Sequence, residues 1–233
     1  GDWSSDVCSS DLVFAENRLI AACMGRVDPL SLDTEGARLF EANGGFARAP
    51  QRIHLPPGTR DPPRGFPRPL IAWCLAIGGG VSMALRRQVV LDLGGFDEAL
   101  DMGATLPGGG DLDILWRVLE AGYQVVYEPR VAARHEHRSA RTDAEKQILE
   151  HNRALVAMLC KQLGAAGWRW KPSIMAFLVW RLVKPLKRLL WSAAGRDPLP
   201  VPLLRRMVWN TWRGLGAYPA ASRLAAERSK AAT

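Results

Sequence analysis

Gly108-Gly-Gly-Asp-Leu-Asp-Ile-Leu-Trp-Arg117 is the stretch on which the fold turns. Three glycines remove side chains where a backbone must bend tightly or come close to a ligand. Asp111 and Asp113 follow, two residues apart, where a helix is expected to begin. Leu112, Leu115, Trp116 and Leu119 then recur at i, i+3, i+4 and i+7, the spacing of a buried helical stripe. Gly122 supplies the stop. Asp111 is thereby predicted at a helix N-terminus beside a glycine-lined space, a placement that suits a general base. Taken alone, the same residue would serve as an N-cap, a common task for Asp.

The flanks extend the pattern. Gly78-Gly-Gly-Val-Ser-Met-Ala-Leu-Arg-Arg87 predicts a glycine turn, a short strand and a helix start, and Gly94-Gly-Phe-Asp-Glu-Ala-Leu100 follows. Ala121-Gly-Tyr-Gln-Val-Val-Tyr-Glu-Pro-Arg130 predicts a helix stop, a strand and a turn, and His135-Glu-His137 closes the block. In order and spacing, residues 78–138 resemble the C-terminal half of the catalytic domain of family-2 glycosyltransferases. The resemblance continues more loosely back to Ala22, through Gly25-Arg-Val-Asp-Pro29 and Leu39-Phe-Glu-Ala-Asn-Gly-Gly-Phe46.

That resemblance implies an α/β fold: the C-terminal half of a GT-A, Rossmann-like, nucleotide-sugar transferase domain, followed by a helical, basic C-terminal region. It implies inverting transfer of a sugar from a nucleotide-diphosphate donor to an acceptor hydroxyl on a polysaccharide, glycolipid or envelope glycan. The hydroxyl must lose its proton as it attacks, which a carboxylate within hydrogen-bond reach accomplishes. The departing diphosphate must be neutralised, which a divalent metal, Mg or Mn, accomplishes in the family.

Asp111 matches the family's base. Many members carry Glu where this chain has Gly110, so no role passes to the residue before the base. Asp113 falls in the first helical turn, where a carboxylate suits the helix dipole; acceptor binding and a purely structural task are both open to it. Arg117 is spaced to pair with Asp113 at i, i+4. Gly109 and Gly110 are expected to line the substrate. Gly78, Gly79 and Gly80 are expected either to line the donor sugar or simply to form a turn. Trp116, like Trp73, offers a surface for stacking on a sugar or a piece of core. His135 aligns with the histidine that completes the metal or diphosphate site in many GT-A enzymes. On one strand, His135 and His137 would share a face. His54 and His151 carry no supporting pattern.

The first twelve residues, Gly1-Asp-Trp-Ser-Ser-Asp-Val-Cys-Ser-Ser-Asp-Leu12, resemble the translation of a sequencing adapter and are set aside. The expected organisation is that leader over 1–12, a partial GT-A domain over 13–140 and a helical, basic, membrane-associating region over 141–233. The family's strand-rich half ends in an Asp-x-Asp motif, and none occurs between Val13 and Leu70. The chain is therefore expected to start after that motif, and alone to be inactive. Ile20–Val27 predicts a buried strand. Thr34–Ala42 predicts a helix stopped by Gly44-Gly45. Pro56–Pro69, with six prolines in fourteen residues, predicts an extended loop.

Charge divides the chain. Its 31 Lys and Arg against 23 Asp and Glu give +8. Residues 151–233 hold 15 basic and 2 acidic residues, or +13, which leaves 16 and 21, or −5, for the rest. Different partners are expected for the two parts. Thr142-Asp-Ala-Glu145 fits a capping box opening a helix to about Leu163. The uncharged run Pro172–Trp180 is nine residues long, and a spanning helix needs roughly 20. Lys171–Trp191, with interleaved Arg181, Lys184, Lys187 and Arg188, fits a helix lying in the plane of a membrane surface, and Leu203–Arg213 is a second such segment. The expected partners are a nucleotide-diphosphate sugar, a glycan or lipid-linked acceptor and an anionic membrane. The expected location is cytoplasmic, peripheral on the inner face of the cell membrane. Cys23, Cys74 and Cys160 show no paired spacing and are expected as free thiols in a reducing compartment.

Two other classes compete. A non-catalytic basic module could bind anionic membrane or nucleic acid through the tail. It leaves residues 78–138 unexplained, and no nucleic-acid motif appears. A metal hydrolase built on Asp111, Asp113, His135 and His137 would lack any HExxH-like spacing.

Overall fold

The computed structural model describes residues 9–46, 48–56 and 69–232. They form a mixed α/β protein with a four-stranded sheet. In chain order the elements are α1 (Ser9–Glu16), β1 (Ile20–Pro29), α2 (Glu35–Ala42), β2 (Ile53–Leu55), α3 (Leu70–Ile77), β3 (Met83–Leu85), α4 (Arg87–Asp92), α5 (Gly110–Glu120), β4 (Gln124–His135), α6 (Arg141–Ala165), α7 (Lys171–Ala193), α8 (Val201–Trp212) and α9 (Tyr218–Ala232). The expected Pro56–Pro69 loop lies almost wholly outside the described residues, as do residues 1–8 of the leader.

Two compact units interleave along the chain. The first is Gly1–Asp28, Phe46–Gly95 and Ile114–His135, and the second is Pro29–Gly45, Phe96–Asp113 and Glu136–Thr233.

The first unit is built on the sheet, in the order β2-β4-β1-β3. β1 pairs antiparallel with β3, Cys23 opposite Ala84, and β2 pairs antiparallel with β4, His54 opposite Val126. Ile20 to Gly25 are all buried, the unbroken pattern of a strand covered on both faces. Val13, Ile20, Cys23 and Val126 pack together, with Phe14, Ala84 and Val131 against them. Gly25 is needed there: a Cβ at this position would collide with the carbonyl oxygen of Val131. Arg86 donates from Nε to the Ile20 carbonyl at 2.7 Å and from Nη2 to the Phe14 carbonyl at 2.8 Å.

β4 corrects one expectation. The turn read at Glu128-Pro129-Arg130 is absent, and the strand runs on to His135. Pro129 comes after Tyr127, the last residue registered against β2, so its missing N–H interrupts no bond to that strand. Glu128, which is buried, accepts from Arg130 Nε at 2.9 Å and Nη2 at 2.8 Å.

The second unit is helical. Thr34 caps α2, its Oγ1 accepting from Ala37 N at 3.3 Å. The 25-residue α6 packs against α2, α7, α8 and α9. The capping box does not form. Ala140 occupies the N-cap and the helix starts at Arg141. Arg141 Nε holds Glu145 at 3.0 Å while its Nη1 reaches Glu35 at 2.7 Å, and Arg206 holds the other Glu145 oxygen at 2.7 Å. With these partners Glu145 serves as an ion-pair acceptor, and Thr142 lies inside the first turn. Among the described residues no helix is long and apolar enough to cross a membrane. Cys23 and Cys74 are buried free thiols, and burial pushes Cys74 up to about 12.

Candidate active site

The glycine run folds as a cradle at the start of α5. Gly108 and Gly109 take positive φ values of 91° and 151°, conformations that side chains resist. Asp113 N donates to Gly109 O at 2.9 Å, the first bond of the helix, which makes Gly109 the N-cap. Asp111 is thus not the N-cap. It stands in the first turn, half-buried, with Oδ1 accepting from Leu112 N at 2.8 Å. The dipole of α5 favours its negative charge.

His151, on α6, belongs to this cradle although its surroundings in sequence gave no hint. A Cβ on Gly108 would lie 2.5 Å from His151 Cδ2, so the glycine is what admits the imidazole. Burial lowers the His151 pKa, and the nearby charges of Asp111 and Glu150 partly oppose that shift. Asp101 is a further neighbour: its Oδ1 is 3.0 Å from where a Cβ on Gly110 would stand. Burial, then the charges of Asp97 and Glu98, raise the Asp101 pKa. The space beside Gly110 therefore has a carboxyl group at its edge.

Asp113 is different from Asp111. It is 0% exposed, and its Oδ1 accepts from Lys161 Nζ at 2.7 Å and from Gln162 Nε2 at 2.5 Å. Lys161 Nζ also lies 2.7 Å from Asp97 Oδ2, and the Tyr218 hydroxyl donates to that oxygen at 2.7 Å. Burial acts to raise the Asp97 pKa, but the bonds from Lys161 and Tyr218 outweigh it and hold the carboxylate below its ordinary range. Asp113, expected among substrate-binding groups, is enclosed by a structural ion-pair cluster linking the start of α5 to α6 and, through Asp97, to α9.

The other predicted residues lie in the first unit. Trp116 is 0% exposed, and a ring with no open face offers no stacking surface. It is core, as is Trp73. Arg117 donates from Nη1 to Leu93 O at 2.8 Å and from Nη2 to Gly95 O at 2.7 Å. It thereby fixes the Gly94-Gly95 turn, where φ is 82° and 77°. Gly78 and Gly79 are extended, and Gly80 opens a short 3-10 turn before β3. A Cβ on Gly78 would meet the Met24 methyl.

His135 and His137 do not share a strand face. β4 ends at His135, whose ring meets Phe46 edge-on at 5.2 Å. His137, in the second unit, has Nε2 2.9 Å from Glu41 Oε1 and its ring 4.7 Å from Phe40. Among the described residues no group of three or more His, Cys, Asp or Glu is arranged to hold a metal ion. His135 is not part of such a group among the described residues.

Comparison with known proteins gives a partial match. A 62-residue stretch, 27% of this chain, is 37% identical to the "Pre-mycofactocin glycosyltransferase" of Mycobacterium tuberculosis strain CDC 1551 / Oshkosh. The same protein from strain ATCC 25618 / H37Rv matches identically. The match spans 12% of those relatives' length. No family model and no solved structure matches.

Proposed function

We propose that this chain forms part of a glycosyltransferase of family 2, with the GT-A fold, and that Asp111 is its general base. The observation that carries the reading is the Gly108–Asp111 cradle. It holds a half-buried carboxylate in the first turn of a helix, Oδ1 accepting from Leu112 N at 2.8 Å, beside glycines of positive φ. The 37% identical stretch in a glycosyltransferase supports the class.

The reaction is inverting transfer from a nucleotide-diphosphate sugar to a hydroxyl of a polysaccharide, glycolipid or envelope glycan. Asp111 accepts the hydroxyl proton as oxygen attacks the anomeric carbon from the side opposite the leaving diphosphate. The missing side chains at Gly108 and Gly110 admit the His151 ring and the Asp101 carboxyl to the turn that carries Asp111. His151 stays neutral against Gly108 and adds no positive charge to the base. Gly78, Gly79 and Gly80 stand as candidates for the donor side. A divalent metal, Mg or Mn, would neutralise the leaving diphosphate, with His135 as the candidate ligand in this chain. The work is done peripherally at an anionic membrane, on its inner face.

The test uses protein expressed from its complete reading frame. A panel of nucleotide-diphosphate sugars is supplied with glycan and lipid-linked acceptors, and nucleoside diphosphate release and product anomer are measured. An inverted product from one donor is expected. Folded protein that binds no donor in the panel defeats the reading.

A further inference from the structure

The C-terminal helices are not uniformly amphipathic in the way their sequence suggests. α7 turns Ile174, Phe177, Leu178, Arg181 and Pro185 inward. Two of its cations are spent on the fold. Arg181 is buried, donates from Nη2 to Asn152 at 2.7 Å, and is pushed down to about 10 by burial and then by the charge of Arg188. Arg188 clasps Asp197 at 2.7 Å and 2.9 Å.

The opposite side of α7 carries a second apolar stripe. Met175, Val179, Val183, Leu186 and Leu190 recur at i, i+4, i+8, i+11 and i+15, one face of a helix, and all are exposed, Leu190 by 72%. Trp180 and Trp191, 47% and 48% exposed, border it. Lys187 lies between them, its Nζ 5.9 Å from one ring centroid and 4.4 Å from the other. α7 contains no Asp or Glu, and neither does α8, which exposes Arg205, Trp209 and Trp212.

We propose that the outer face of α7 is a docking surface for an anionic phospholipid bilayer, on which the helix lies in plane. Three properties select this occupant over a protein groove. The stripe is aliphatic and continuous, suited to the acyl boundary. Indoles line its edge, where amphipathic rings settle at headgroup level. The charge around it is of one sign, complementary to phosphate headgroups and set against an acid-free helix. This deepens the peripheral-membrane part of the proposed function and is independent of the base assignment.

The test is flotation of the full chain with vesicles of equimolar phosphatidylglycerol and phosphatidylcholine, beside vesicles of phosphatidylcholine alone. Preferential binding to the anionic vesicles is expected. Leu186→Glu/Leu190→Glu is expected to weaken that binding about tenfold or more, with helix content and Tm unchanged because both residues are exposed. Leu224→Glu, an exposed leucine on α9, is the control and should bind like the parent. Four results overturn the proposal: no preference for anionic vesicles, unchanged binding by the double variant, tighter binding to a competing DNA duplex, or a lipid-free dimer that the double variant abolishes. Unchanged binding by the variant would remove only α7 as the surface. Absence of vesicle binding would remove the membrane reading. Neither bears on donor turnover, which is measured separately.

Discussion

Lys161 Nζ lies 2.7 Å from Oδ1 of Asp113, a carboxylate with no exposed surface. Its partner is 48 residues away in sequence, and the bond fixes the first turn of α5 against α6. Two residues earlier, the half-buried Asp111 stands on the same turn. Lys161 therefore anchors the turn that carries Asp111.

Lys161→Met should unfold the second unit at markedly lower denaturant. Removing one member of a buried pair strands the other charges, which costs about 3–5 kcal/mol. Urea unfolding followed by circular dichroism reads this directly. A loss within about 1 kcal/mol would mean that Asp113 finds other partners.

Asp111→Asn should leave Tm within a degree or so and abolish transfer by protein from the complete reading frame. Gly109, not Asp111, is the N-cap, so the helix start survives. The lost proton acceptor is worth about 10²–10⁴ in rate. Donor affinity, measured in the same protein by calorimetry, should be kept. Retained turnover in the folded variant would end the assignment.

His151 and Asp97 should both contribute to the acid side of stability. The His151 pKa lies below its unfolded value of 6.5, so the unfolded chain binds the proton first and stability falls as pH drops below 6.5 toward the folded value. Asp97 is also depressed, below 3.8. Its stabilisation is present above that value and is lost as pH falls through the folded pKa. His151→Gln should flatten the change in urea midpoint just below pH 6.5 and leave the loss at lower pH. An equally steep profile in the variant would rule His151 out as the source.

Two glycines should respond in opposite directions. At Gly36 a Cβ would collide with the Arg138 carbonyl oxygen, so Gly36→Ala should cost about 3 kcal/mol. Gly164, near the end of α6, has open space around it, and Gly164→Ala should gain about 0.5–1 kcal/mol by helix propensity. Thermal unfolding of the pair checks both signs.

The sequence made local features legible where one short segment decides them. The Thr34–Ala42 stretch forms α2, Gly122 ends α5 at φ 90°, and the Leu112–Leu119 spacing describes a helix. Distant partners were not legible. Nothing near Asp113 announces Lys161, and nothing near Gly108 announces His151. Short motifs failed where a partner elsewhere competed. Glu145 was drawn away from the capping box by Arg141 and Arg206. Trp116 is ambiguous in any sequence, because the spacing that suits a sugar platform also suits a core.

One helix, α6, carries along its length the ties that a modular enzyme would distribute. Arg141 and Glu145 anchor its start, His151 fits the glycine cradle, Asn152 receives Arg181 from α7, and Lys161 with Gln162 grips Asp113. The C-terminal helices are consequently not a cassette that recombination could exchange between relatives. A transplanted tail would have to bring a cation for Asn152 and a hydroxyl for Asp97. Losing those helices would strip Asn152 of Arg181 and Asp97 of the Tyr218 hydroxyl, and so loosen the helix that grips the turn carrying Asp111.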